Sequence, residues 1–202
     1  SSAADSPWDD ADLRTRASAA SEQYARVVAA SYVDTLVAAE AMQAEIEAFI
    51  AAPSAAGLDG ARAAWLAARE HYGVTEVFRF YGGPIDAEPA NLEGQINSWP
   101  LDEVYIDHVE GEPDGGIIND ATRYPELGVD LLRELNGAGG EDDISTGWHA
   151  IEFLLWGQDL RADGPGDRPF TDFVAGETGT AANQERRARY LQIVTDLLVD
   201  DL

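Results

Sequence analysis

The chain has 202 residues, enough for one good-sized core, and its 38 acidic side chains outnumber 13 basic ones, for a formal net charge of −25. Those basic residues are all arginine, there are three histidines, and there is no cysteine. Such a surface repels phosphate backbones and anionic membranes, so nucleic-acid and membrane-surface binding are not expected, and disulfides, thiolate ligands and cysteine nucleophiles are excluded.

Residues 1–17 read as a flexible leading segment, opening Ser1-Ser2-Ala3-Ala4-Asp5-Ser6-Pro7. No signal peptide is recognisable and no apolar run reaches transmembrane length. Either a processed exported protein or a cytoplasmic one can begin this way. Residues 18–202 read as one all-α domain, because Ala, Leu, Glu, Gln and Arg dominate the long segments and no extended apolar–polar alternation argues for a sheet.

The first helix is expected from Ser18 to Ala52, with Tyr24, Val28, Tyr32, Leu36, Ala39, Met42, Ile46 and Phe49 on one apolar face. Its length, roughly thirty-five residues, favours an up-and-down bundle. Pro53-Ser54 and Gly57 mark its end. A second helix is expected from Leu58 to Tyr81, carrying Trp65, Tyr72 and Phe80 and stopped by Gly82-Gly83-Pro84. The region from Asp86 to Asn119 is less regular, with a short helix over Leu92–Asn97. Another is expected with Pro100 in its first turn and Leu101, Val104, Tyr105 and Val109 on it. After a Gly- and acid-rich loop, a short helix covers Glu126–Leu135. The next starts at Ser145 or Thr146 as N-cap, and Gly147 near its start suggests a close backbone approach. A turn-rich linker follows over Gln158–Arg168. The last helix runs from about Ala181 with Tyr190, Leu191, Val194, Leu197 and Leu198 apolar. It reaches Leu202 while still amphipathic, which fits either a natural end or a missing C-terminal portion.

Three polar constellations interrupt these apolar helices. His149 and Glu152 are three apart in Ser145-Thr146-Gly147-Trp148-His149-Ala150-Ile151-Glu152-Phe153-Leu154-Leu155-Trp156 and share one face. Imidazole plus carboxylate can hold iron, zinc or manganese, but the pair can also do no more than satisfy its own hydrogen bonds. Arg69, Tyr72, Glu76 and Arg79 form a second row. Arg69 and Glu76 suit a buried salt bridge, or Glu76 serves as a ligand or base with the arginines balancing charge. In the third, Glu103 and Asp107 are four apart and face together, able to complete an oxygen-rich site with His149 and Glu152. His108 points away from them and reads as a surface histidine. Arg186-Arg187-x-Arg189 is too small a cluster for nucleic acid and pairs with local acids. No HExxH, phosphate loop or nucleophile elbow occurs.

The residues Gly147-x-His149-x-x-Glu152 match the Gly-x-His-x-x-Glu motif of the imelysin-like family. Trp65-x-x-x-Arg69-x-x-Tyr72-x-x-x-Glu76-x-x-Arg79-Phe80, Asn97-x-Trp99-Pro100-Leu101 and Tyr105-Ile106-Asp107 resemble the same family's pattern. The resemblance implies an all-helical periplasmic or envelope protein, related to iron-regulated and iron-uptake proteins and to a reported metallopeptidase. It implies two bundles with a site at their junction, of which this chain would be the N-terminal one. By the same resemblance His149, Glu152, Glu76 and Asp107 would be metal ligands, with Arg79, Glu103 and Arg69 as neighbours. The expected cofactor is a divalent or trivalent metal ion, iron before zinc. Expected partners are the missing C-terminal bundle or another chain, and an iron-transport system. Metal-dependent peptide hydrolysis and a non-catalytic helical interaction module are the alternative functions.

Overall fold

The computed structural model describes residues 10–83, 86 and 92–202. Helix α1 spans Ala11–Ala51 and begins where the Asp10 carboxylate accepts from the backbone N–H groups of Asp12 (2.8 Å) and Leu13 (3.3 Å). Residues 11–17, assigned from the sequence to the leading segment, are therefore helical; residues 1–9 lie outside the described residues. α2 spans Ala55–Thr75, with the Ser54 hydroxyl accepting from Gly57 N–H at 3.1 Å. Gly57 thus lies inside α2 rather than between the helices.

α1 and α2 pack along one another as a hairpin. At 1.5 Å per residue, α1 is about 62 Å long and α2 about 31 Å, so α2 covers only part of its partner. The buried residues of α1 are Thr35, Ala39, Met42, Ile46 and Phe49, all in its C-terminal half. Tyr24, at the other end of the expected stripe, is 44% exposed and stands T-shaped to the Phe78 ring. Periodicity marked the stripe; the reach of the neighbouring helix determines how much is buried.

α2 stops at Thr75 and continues as one 3-10 turn, Glu76–Phe78. The Thr75 hydroxyl donates back to Tyr72 O at 2.7 Å, and Arg79 is already extended (φ −112°, ψ −179°). The break therefore precedes the Gly82-Gly83 pair expected to end the helix; Pro84 is outside the described residues. Short helices follow: α3 (Glu93–Ile96), α4 (Glu103–Ile106) and α5 (Val129–Leu135). Asp102, not Pro100, starts α4, its carboxylate accepting from Val104 N–H at 3.2 Å.

α6 (Gly147–Trp156) and α7 (Gln184–Asp201) complete the bundle, with a 3-10 turn over Phe170–Phe173 between them. α6 packs against α2 and α7, and α7 against α1. Trp148, Ile151, Phe153, Leu154 and Leu155 are buried, as are Tyr190, Leu191, Val194, Leu197 and Leu198 on the last helix. Each such side chain contributes about 1.5–3 kcal/mol of apolar burial, which fixes α6 at the centre. Among the described residues the fold is an all-α bundle, with a single isolated bridge, Val109 to Glu112. No described helix is long and apolar enough to cross a membrane.

Candidate functional site

The start of α6 is pinned from three sides. Gly147 has φ +83°, and a Cβ there would fall 2.3 Å from Ile96 O, so only glycine permits this approach to α3. Neither Ser145 nor Thr146 caps the helix with its side chain. The Ser145 hydroxyl donates to Leu132 O (2.7 Å) and the Thr146 hydroxyl to Gln95 O (2.9 Å), while Tyr190 Oη donates to Ser145 O (2.8 Å). Trp148 then turns fully inward, edge-on to Trp65 and tilted against Tyr72, and its carbonyl accepts from Trp65 Nε1 at 3.1 Å. With the apolar side spoken for, His149 and Glu152 emerge on the other face.

His149 Nδ1 lies 3.0 Å from Glu152 Oε2, and their side chains are 18% and 43% exposed. The Trp99 ring lies over the imidazole at 4.7 Å between centroids. Both members of the pair line a cleft of about 420 Å³ together with Glu103, Asp159, Trp65, Trp99 and Trp156. Burial raises the Glu103 carboxyl above its ordinary value, partly offset by a backbone hydrogen bond from Asp159. Of the expected set of Glu103, Asp107, His149 and Glu152, three line the cleft, and Asp159 joins them from the linker after α6.

Asp107 does not. α4 ends at Ile106, and Asp107 is extended (φ −147°, ψ 175°), so the four-residue spacing from Glu103 never becomes a shared helical face. Its carboxylate is fully buried and accepts from Arg187 Nε (2.6 Å) and Nη2 (2.9 Å), Arg168 Nη1 (2.8 Å) and Asn119 Nδ2 (3.1 Å). Burial alone would raise this carboxyl; hydrogen bonds from Arg187 and His108 and the charges of Arg168 and Arg187 outweigh it and hold it far below the carboxylate range. His108, expected at the surface, joins this cluster with Nδ1 3.1 Å from Asp107 Oδ1. Asp172 adds a second carboxylate, 3.5 Å from Arg168 Nη1. Gly116 permits the loop to close on the cluster: its φ is +88°, and a Cβ would meet Asp107 N at 2.4 Å. With its lone pairs committed to two arginines, Asp107 sits in a buried ion cluster and is not among the residues that line the cleft.

The second row is also divided. Glu76 is exposed on the 3-10 turn, away from the buried Tyr72 and Arg79, so it neither bridges to Arg69 nor reaches the cleft. The carboxylate serving that row is Glu93, which the sequence reading missed. It accepts from Tyr72 Oη at 2.6 Å and pairs with Arg79. Arg69 instead lies over the Tyr72 ring at 5.0 Å and the Trp148 ring at 5.9 Å. Arg168, Arg187, Glu93 and Asp159 were all missed as partners; the only sequence signal was the cluster Arg186-Arg187-x-Arg189, whose central member is fully buried.

The family model for imelysin, peptidase M75, matches residues 28–202. The chain belongs to the imelysin family. Iron-regulated protein A of Synechococcus elongatus is 34% identical to it over 131 residues, which is 65% of this chain and 29% of that relative. The imelysin-family chain thus spans about three tenths of the curated relative's length. The relative's name raises the question of a metal. The donors lining the cleft, one imidazole and three carboxylates, have the right chemistry for iron or zinc. They do not form a closed shell: among the described residues no three His, Asp or Glu side chains are grouped to hold a metal ion. The fit is of donor type and of one pre-formed pair, His149–Glu152.

Proposed function

We propose that this protein is a periplasmic or envelope-associated metal-binding protein linked to iron uptake or iron regulation, and that the cation enters the cleft at His149 and Glu152. The reading is carried by one observation: in a member of the imelysin family, the motif's histidine and glutamate are held 3.0 Å apart at the wall of an acidic cleft. The name of its cyanobacterial relative supports iron as the metal, with zinc as the competitor. His149 and Glu152 would be the first two ligands, and Glu103 and Asp159, in the same cleft, supply further oxygen donors. The pair's hydrogen bond orients the imidazole before any ion arrives, and the neighbouring Trp99 ring restricts its rotation. Arg79 and Arg69 stay with Glu93, Tyr72 and Trp148 and act on packing rather than on the ion.

Titration of chelator-treated protein with iron and with zinc tests this. His149→Ala and Glu152→Gln are expected to weaken binding at least about tenfold each, and Glu76→Gln to leave it unchanged. Equal affinity in wild type and both motif variants would overturn the assignment.

A second reading, metal-dependent peptide hydrolysis, draws on the position of Glu103, a carboxylate in the wall of the same cleft as the motif pair, where it could serve as a general base. A bound metal would supply a polarised water. Peptide turnover that requires metal, is lost in Glu103→Gln and survives Glu76→Gln would favour it. Absence of turnover by metal-loaded protein across a broad peptide library would reject it.

A further inference from the structure

The cleft is larger than an ion needs. Its volume of about 420 Å³ falls in the range of small-molecule sites, about 300–1,000 Å³. Its wall holds the indoles of Trp65, Trp99 and Trp156, and its charged groups are the carboxylates of Glu103, Glu152 and Asp159. No arginine or lysine is among the described residues that line it. Arg168, the arginine whose charge reaches Glu103, is committed to Asp107 and Asp172. The cleft therefore combines π faces with three carboxylates against a single imidazole, and both favour a cation with an apolar body.

Two local facts strengthen this. Trp156 already hosts a guanidinium: Arg62 Cζ lies 5.7 Å from its ring centroid. Trp99 is 68% exposed at the cleft, a large indole left uncovered at a rim that carboxylates surround. Covering it with a neutral apolar group would desolvate those carboxylates without compensation, whereas a cationic ligand offsets them.

We propose that this cleft binds a small organic cation, an ammonium or guanidinium group on an apolar body, seated against Trp99, Trp65 and Trp156 with its charge toward Glu103, Glu152 and Asp159. The inference goes beyond the metal reading and does not rest on it, because indoles are not metal ligands and the cation needs no ion beside it. The net charge of −25 adds long-range attraction for such ligands.

Chelator-treated full chain is titrated with benzyltrimethylammonium, and with benzyl alcohol and benzoate as neutral and anionic counterparts, by calorimetry and tryptophan fluorescence. Saturable one-to-one binding of benzyltrimethylammonium is expected, with no saturable binding of the other two. Trp99→Ala, at an exposed position that the core does not use, and Glu103→Gln are each expected to weaken it by about tenfold. His149→Ala is expected to retain it while weakening metal binding. The two readings therefore fail separately. No saturable binding by wild type, equal binding of benzyl alcohol, or unchanged affinity in Trp99→Ala would each overturn the proposal.

Discussion

Asp107 has no exposed surface and accepts from two arginines and an asparagine, whereas Glu152 pairs with His149 and keeps 43% of its side chain exposed. Both are carboxylates named by the same family pattern, yet their environments assign them opposite roles. Around Asp107 every lone pair is spent and the opposing charges are matched within the core, so the region can only hold the fold together. Around Glu152 the hydrogen-bonding capacity is partly unspent and faces an acidic cleft, so the region can bind. Unspent capacity next to a cavity, rather than the presence of acids or histidines, separates a binding region from a buried anchor.

The strongest way to break this contrast is Asp107→Ala. It strands Arg168 and Arg187 in the core, and chemical denaturation should show a loss of about 3–5 kcal/mol. A change below about 1 kcal/mol would mean that the cluster does not anchor the fold. Next is Gly147→Ala, which forces a Cβ against Ile96 O at φ +83°. Strain of about 1–3 kcal/mol is expected, together with weaker metal binding, because the start of α6 must shift away from α3. A variant with wild-type stability and affinity would show that this approach is dispensable.

Acid sharpens the comparison with opposite signs. The folded-state carboxyl of Asp107 is held below its unfolded value. The folded state therefore binds fewer protons there, and its stability contribution is present above about pH 3.9 and lost as pH falls below it. Glu103 and Glu93 are raised by burial, so their contribution is most favourable below about pH 4.3 and is lost as pH rises through their folded values. Denaturation midpoints should therefore hold or improve on mild acidification and then fall steeply below about pH 4. In Asp107→Asn the Asp107 part of that acid loss should vanish. The smallest effect on stability is expected for His149→Ala and Glu152→Gln, each within about 1 kcal/mol for a partly exposed pair, although their effect on metal affinity is the largest. A greater stability loss would place the pair with the anchors.

What was legible beforehand was local. The His149–Glu152 pairing follows from an i,i+3 spacing on a helix that the apolar run makes certain, and the glycine at 147 foretold a close approach. The row through Arg69, Tyr72, Glu76 and Arg79 misled because its spacing assumed a helix that ends at Thr75, where the Thr75 hydroxyl and the turn of Arg79 toward Glu93 take over. The Glu103–Asp107 spacing misled for the same reason, since α4 is only four residues long.

By itself the amino-acid sequence determined the all-α class, the existence of the long helices though not their ends, the burial of the Trp148 face and the motif pair, because each depends on residues within a few positions of one another. Only the tertiary structure decided which carboxylate is anchored and which is free. Asp107 finds Arg168 and Arg187 at separations of 61 and 80 residues, and Asp159 enters the cleft from a linker with no helical period. Charge pairing across such distances is set by how the helices and loops close on one another, and no local spacing encodes it.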